Sequence, residues 1–332
     1  MIVLPRLALD RIAAASAVID PVFLNTPQFV SGPLSHVTGA RLVVKVETLN
    51  PIRSFKGRGA SLLAAGLSPG AHIVTASAGN LGQALAYACR SSGVRLTVFA
   101  ATGANPFKVA RMQDLGAEVV LAGEDFDAAK ALARQHAAST GLPMIEDGVA
   151  PALSEGAGTI AVELLGFPER LDVVLVALGN GAILGGMARW LQARAPGVEV
   201  IGVAAAGAPC MALSWRSAAL VETASIDTIA DGLGTRIPVP EALADLTGSI
   251  ADVVLVDDTA MIDGMRLAHR HLGLVLEPSG AAGIAAILSD PERFRGRTVA
   301  TVLCGGNLTE AQVQQWLQPA AMSDADNSTE IG

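Results

Sequence analysis

Short apolar runs alternate with longer amphipathic ones along most of the chain. Ile73-Val74-Thr75, Leu96-Thr97-Val98-Phe99 and Glu118 to Leu121 are brief and rich in β-branched residues, as buried strands should be. Between them the spacing predicts helices. One runs from about Leu81 to Ser92 and is stopped by Gly93. Another opens at Asn105-Pro106, with a capping side chain at N-cap and proline at N1, and ends near Leu115 before Gly116. Asp127 to Ser139 is an alanine-rich third. After about Ala150 the same unit returns. Val173 to Ala177, Val200 to Ala204, Val253 to Val256 and Val299 to Leu303 read as central strands. Strands alternating with helices at this spacing predict an α/β fold with a parallel sheet and right-handed crossovers. No internal repeat is visible. Residues before Leu42 read as a lead-in, with a short helix over Asp10 to Val18 and an extended segment ending at Thr26-Pro27. Leu42 to Glu47 is then the first strand.

Composition narrows the classes. At 332 residues, 51% apolar and 16% charged, the chain suits two lobes around a shared core rather than a disordered protein. Net charge is −8 and pI about 5.1, with no basic cluster, so nucleic acid and acidic membrane surfaces are not expected partners. Mean hydropathy of +0.46 makes a membrane span worth testing. The most apolar stretch, Val173 to Ala188, is broken by Asn180 and four glycines, so it reads as a strand, a glycine loop and a helix. Cys89, Cys210 and Cys304 are few and scattered, which suits a reducing cytoplasm and gives no metal spacing. Pro5, Arg6, Asp10 and Arg11 interrupt any signal-peptide core. From about Ala320 the chain turns polar, and 320–332 is expected to be a disordered tail.

The candidate chemistry centres on Ser54-Phe55-Lys56-Gly57-Arg58-Gly59-Ala60, next to the turn signal Asn50-Pro51. A lysine that holds a carbonyl cofactor as an imine needs a dry pocket, and bare backbone that lets a flat ring approach. By itself the heptapeptide fits a solvated lysine before a helix better. Four further stretches change the weighting. They are Ser77-Ala78-Gly79-Asn80-Leu81-Gly82-Gln83, Gly179-Asn180-Gly181-Ala182, Glu277-Pro278-Ser279-Gly280 and Cys304-Gly305-Gly306-Asn307. The main rival they raise, from another cofactor class, is a dinucleotide site, because Gly179, Gly181 and Gly185 partly mimic its fingerprint. That site wants an acid at the end of the next strand, and the chain there reads Val203-Ala204-Ala205-Ala206.

In kind, order and spacing these stretches resemble the fold-type II pyridoxal-phosphate enzymes, and among them the serine/threonine dehydratases. The resemblance runs from about Thr26 to about Asn307. It implies the two-lobe parallel-sheet fold of the tryptophan synthase β and threonine dehydratase type. The large, cofactor-binding lobe would be 1–53 and 151–319, and the small lobe 54–150. By resemblance the cofactor is pyridoxal 5′-phosphate. Lys56 is its Schiff-base lysine and then takes the Cα proton. Phe55 packs on the ring, Asn80 reaches the ring oxygen, and Cys304 faces the ring nitrogen. Gly305, Gly306 and Asn307 bring backbone close to the ring, and so does Asp231-Gly232-Leu233-Gly234. Gly179, Asn180, Gly181 and Ala182 hold the phosphate at a helix start. Ser77 and Gly79 take the substrate carboxylate. Glu277 has at most a supporting role, Arg58 is expected in a structural ion pair, and none of the five histidines falls in a motif.

Two departures shape the expected reaction. Serine racemases of this family carry a serine where this chain has Ala78, as the acid/base on the second ring face, so elimination is favoured over racemisation. Many relatives bind a divalent cation with an acid after the strand ending Gly202-Val203; here the stretch is Ala204-Ala205-Ala206-Gly207, and no metal is expected. The effector-binding domain of some threonine dehydratases is not expected either. The reading is a pyridoxal-phosphate dependent lyase that turns a 3-hydroxy amino acid into a 2-oxo acid and ammonia. Threonine or serine is the default substrate, with 3-phenylserine or 3-hydroxyaspartate open. A homodimer is implied. The alternatives are a β-replacement enzyme of the cysteine-synthase kind and a non-catalytic ligand-binding relative.

Overall fold

The structure, a computed structural model, describes residues 5–318; the expected tail at 320–332 lies outside the described residues. Among the described residues, ten strands form two sheets. They are β1 (Gln28–Val30), β2 (Arg41–Val46), β3 (His72–Ala76), β4 (Arg95–Ala100), β5 (Glu118–Leu121), β6 (Met144–Ile145), β7 (Val173–Ala177), β8 (Glu199–Ala205), β9 (Asp252–Val256) and β10 (Thr298–Leu303). The larger sheet has the order β1-β2-β10-β7-β8-β9, and the smaller one β5-β4-β3-β6. All pairings are parallel except β1 with β2. Helices cover both faces, so β7 is wholly buried and β8 and β10 nearly so, which is why they read as unbroken apolar runs.

Several predicted elements sit where the pattern put them. Asn105 caps the helix Pro106–Asp114 by accepting from the Phe107 N–H, and Gly93, in the left-handed conformation, ends the helix Asn80–Ser92. Three expectations need correction. Val253 to Val256 belongs to β9, an edge strand with a neighbour on one side only, and Val254 and Leu255 are half-buried. An apolar run reports burial but not how many neighbours a strand has. The segment before Leu42 is more than a lead-in. It supplies β1 and the helix Gly32–Thr38, which Ser31 caps. The three residues of β1 are too few, and Phe29 too exposed, to leave an apolar signature. The first helix is Leu9–Ala15, shorter than expected.

The glycines beside Lys56 also have a different task. Lys56–Ala65 is a helix wedged between the helices Asn80–Ser92 and Pro151–Leu164. A Cβ at Gly59 would come within 2.5 Å of the Leu153 backbone oxygen, and one at Gly57 would overlap the Phe23 ring. Glycine is needed there for close helix packing, not for access of a flat ring.

Arg58 lies one half-turn past Lys56 and has no exposed surface. Its Nε and Nη2 each donate to a Glu47 carboxylate oxygen at 2.8 Å. Its Nη1 donates to Glu163 at 2.6 Å and to the Thr159 hydroxyl at 3.0 Å. Lys45, also buried, donates to Glu163 at 2.5 Å and to the Thr26 carbonyl at 2.8 Å. This is the structural ion pair expected of Arg58, extended to two carboxylates and a second cation. Burial opposes ionisation of Glu163, but Arg58 and Lys45 more than offset it and hold the carboxyl at about 2. Among the described residues, no helix is long and apolar enough to cross a membrane.

Arg58→Met would strand two buried carboxylates and is expected to lower the unfolding free energy by about 3–5 kcal/mol, read by denaturant titration. The Glu163 carboxyl is depressed in the folded state, so its contribution is complete above its ordinary value of 4.5 and fades as pH falls toward 2. The drop in stability between neutral pH and pH 3 should therefore be smaller in Glu163→Gln than in the unmodified chain.

Candidate active site

In an open parallel sheet the crevice lies beyond the carboxyl ends of the strands. Here the loops after β2, β3, β6, β7 and β10 meet there around a cavity of about 360 Å³. That size is within the range of small-molecule sites.

The floor is the turn between β2 and the Lys56 helix, and Asn50 knits it together. Its amide nitrogen donates to the carbonyls of Glu47 at 2.9 Å and Ser54 at 3.2 Å, and its oxygen accepts from the N–H groups of Ile52 and Ser54. Arg53 is held at φ +52°, a costly value for a residue with a side chain. The stretch after β10 clamps this turn from below. The Gly306 N–H donates to the Arg53 carbonyl at 3.0 Å, and Asn307 Nδ2 donates to the Ile52 carbonyl at 2.8 Å. The Phe55 N–H donates to the Cys304 carbonyl at 3.0 Å. Lys56, first in its helix, is thereby aimed into the cavity. Its Nζ sits 4.8 Å from the centre of the Phe55 ring. Both carboxylate oxygens of Asp147, on the loop after β6, lie 2.6 Å from Nζ.

Ser77 to Asn80 follow β3. Ser77 Oγ accepts from the N–H groups of Gly79 at 3.2 Å and Gly82 at 3.0 Å, which closes the first turn of the next helix. Its hydroxyl hydrogen is left to donate elsewhere. Ala78 lines the cavity with a methyl group and offers no proton. Asn80 is fixed at both ends of its amide. Nδ2 donates to Glu277 at 2.7 Å, and Oδ1 accepts from Asn307 Nδ2 at 2.7 Å. Glu277 further accepts from the Ser279 hydroxyl at 2.8 Å and the Asn307 N–H at 3.1 Å. Burial pushes the Glu277 carboxyl up, and these donors together with the Lys108 charge pull against it.

Gly179 to Ala182 link β7 to the helix Ala182–Arg194. Gly181 has φ +92°, and a Cβ there would sit 2.7 Å from Ala242 Cβ, so only glycine makes this turn. The result is a helix start opening on the cavity, where backbone N–H groups and the helix dipole suit an anion such as phosphate. Asn180 accepts from the Thr235 hydroxyl at 3.1 Å and donates to Asp147 at 3.4 Å. Cys304 is buried and donates to the Ser279 carbonyl at 3.4 Å. Burial pushes its thiol well above the usual range, and the Glu277 charge adds to this, so it stays neutral. Ion pairs Lys108–Asp231, Arg236–Asp127 and Lys130–Glu146 bridge the two sides of the mouth or its rim.

The structure brings Phe55, Lys56, Ser77, Gly79, Asn80, Gly179, Asn180, Gly181, Ala182 and Cys304 to this one cavity, with Asp231, Gly232 and Gly234 in its wall. Gly305 and Gly306 lie behind the lining, packed against Glu277 and the Val275 carbonyl, rather than in it. No histidine lines it. Asp147 was not foreseen from the sequence. β6 is two residues long, and the one available hint was the Asp147-Gly148 turn signal after an apolar pair. Glu277 proves more central than expected, as the shared acceptor for three neighbours.

Residues 19–305 match the family described as pyridoxal-phosphate dependent enzyme. The chain is 30% identical over 305 residues to the L-threonine ammonia-lyase of Thermotoga maritima, covering 91% of this chain and 76% of that protein. It is 31% identical over 287 residues to an L-threo-3-hydroxyaspartate ammonia-lyase of a Pseudomonas species, covering 86% and 90%. Maize serine racemase superposes with a TM-score of 0.86 at 27% identity, covering 93% of this chain and 96% of that one.

Gly181→Val should force a strained backbone and a clash with Ala242, lowering the unfolding free energy by about 1–3 kcal/mol. Inorganic phosphate is expected to raise the melting temperature of the unmodified chain and not that of the variant. Denaturant unfolding and a phosphate series in thermal melts measure both.

Proposed function

The chain belongs to the pyridoxal-phosphate dependent enzymes, and we propose that it is a dehydratase converting a 3-hydroxy amino acid to a 2-oxo acid and ammonia. The observation that carries this is the placement of the Lys56 amine in a cavity flanked by two helix starts suited to anions, with Ala78 offering no proton on the Ser77 loop. The cavity suits the cofactor: Gly181 shapes a phosphate cradle, Phe55 supplies an apolar wall, and Lys56 supplies the amine. When bound, pyridoxal phosphate supplies a conjugated sink for the electron pair released at the substrate Cα.

This chain's own residues do the rest. Lys56 would hold the cofactor and, displaced by the substrate amine, its Nζ would take the Cα proton. The C–H electron pair would move toward Cβ as the Cβ–O bond breaks, and the hydroxyl would leave as water, the proton balance being closed when Nζ gives up the proton it took from Cα. The unsaturated amine hydrolyses to the 2-oxo acid and ammonia. The turn Gly179–Ala182 binds the phosphate, and the hydroxyl of Ser77 and the backbone at Gly79 orient the substrate carboxylate. Glu277 keeps Asn80 pointed at the cavity through its 2.7 Å hydrogen bond. Cys304, a neutral thiol, is a weak partner for a ring nitrogen, which suits rapid expulsion of a β-leaving group over slow reprotonation.

Ala78 separates this reading from racemisation, since a racemase needs a proton donor on each face. The substrate classes that fit are threonine and serine, with 3-hydroxyaspartate and 3-phenylserine as the specialised members. The division into a large lobe (1–53 and 151–319) and a small lobe (54–150), a homodimer and a cytoplasmic location belong to the same reading. Size-exclusion chromatography with light scattering reads the oligomer.

Purified protein with pyridoxal phosphate is expected to release a 2-oxo acid from at least one of these substrates without any added nucleophile. Lys56→Ala should lower kcat/KM by about 10²–10⁴-fold and remove the visible imine band. Product formed only when a thiol or sulfide is supplied would establish the β-replacement alternative instead. A band that no amino acid perturbs would establish a binding protein.

A further inference from the structure

We infer that Asp147 is a positioning residue for Lys56: its carboxylate holds the Nζ in place between proton transfers and stabilises the ammonium that forms when Nζ takes a proton. This rests on the reading of Lys56 as the cofactor-bearing base.

The geometry is two-pronged. Both Asp147 oxygens lie 2.6 Å from Nζ, and the two side chains are 14% and 15% exposed. A lysine side chain has four rotatable bonds, so a single contact would leave the amine free to swing. A carboxylate straddling it, with the Phe55 ring 4.8 Å away, restricts it to one region of the cavity.

Asn180 holds Asp147 directly, and further contacts hold the loop that carries it. Asn180, in the turn after β7, donates to it at 3.4 Å. The Ala150 N–H closes the loop onto the Glu146 carbonyl at 3.0 Å. Arg6 donates to the carbonyls of Gly148 at 3.0 Å and Val149 at 2.5 Å, and is itself paired with Asp245. A surface salt bridge has no such scaffold. The carboxylate is built into the wall, and its partner is the one amine the chemistry uses.

Other charged and titratable groups around the cavity are engaged elsewhere. Glu277 serves Asn80, Ser279 and Asn307, and Cys304 donates to Ser279. Glu146 pairs with Lys130, and Lys108 with Asp231. Asp147 is thus the carboxylate that meets Lys56. In proton terms, the proton leaving Cα bonds to Nζ, and the resulting ammonium is neutralised by Asp147. Asp147 forms no covalent bond and undergoes no net change.

The test begins without cofactor, so that it does not depend on the dehydratase reading. The full chain, stripped of cofactor, is labelled with acetic anhydride at a series of pH values, and Lys56 acetylation is read by peptide mass spectrometry. Near pH 8, Asp147→Asn should label Lys56 about tenfold faster than the unmodified chain, because the ammonium has lost its counter-charge. Above about pH 11, where lysines are largely neutral, the rates should converge. Asp147→Glu should restore slow labelling. A simple loosening of the pocket would raise labelling at every pH alike, and that result, or equal rates near pH 8, would overturn the inference. With pyridoxal phosphate added, Asp147→Asn should still form the visible band but lose about tenfold or more in kcat with a smaller change in KM. Normal kcat in a variant that folds and forms the band would also overturn it. Failure of the unmodified chain to form any band would count against the dehydratase reading alone, since the labelling result stands apart from it.

Discussion

A guanidinium with no access to water has to find its counter-charges inside the protein. Arg58 finds them on two elements, Glu47 just past the end of β2 and Glu163 near the end of the helix Pro151–Leu164. Each contact uses a different edge of the planar fork, so the group cannot rotate without abandoning one of them. Since desolvating such a cluster is costly, its value lies in defining one arrangement more than in net stability. Lys56 is two residues away on the same helix. The position of the amine that matters for chemistry is therefore set by an ion cluster on the far side of its own backbone.

The same end of the helix is held a second way. β10 enters the large sheet between β2 and β7, although it comes last in sequence. This puts Cys304 to Asn307 directly under the turn that precedes Lys56, where they receive and give its backbone hydrogen bonds. Asn307 then reaches across to Asn80, and Asn80 to Glu277. Three loops remote in sequence share one polar network. Glu277 is half-buried, and its carboxylate accepts from Asn80, Ser279 and Asn307 at once. A network of this kind is rigid because its members share partners, so moving one disturbs several hydrogen bonds.

Rigidity behind the cavity contrasts with the mouth. There Lys108–Asp231 and Arg236–Asp127 join residues on the small-sheet side to residues on the large-sheet side, and Asp231 is 68% exposed. Lys108 is 12% exposed, and Arg236 and Asp127 are 30% and 25% exposed, so salt screens these pairs more than the sealed Arg58–Glu47 pair.

Much of this was legible from the chain alone. Strands β7, β8 and β10 announced themselves because burial on both faces leaves no room for polar residues. The loops Ser77–Asn80, Gly179–Ala182 and Cys304–Asn307 could be read because backbone turns at helix starts demand small residues at fixed places. Lys56 was identifiable through the company of those loops. What local pattern could not supply was adjacency. β1 and β6 are too short to carry a period, and whether β9 is central or an edge depends on strand order, which no run of valines encodes. The glycines after Lys56 were assigned to ring access when they serve helix packing against Phe23 and Leu153, because a glycine records that space is scarce but not what fills it. Asp147 had no motif to betray it: a carboxylate acquires its role from the amine it faces, and the two are 91 residues apart until β6 and the Lys56 helix are brought together.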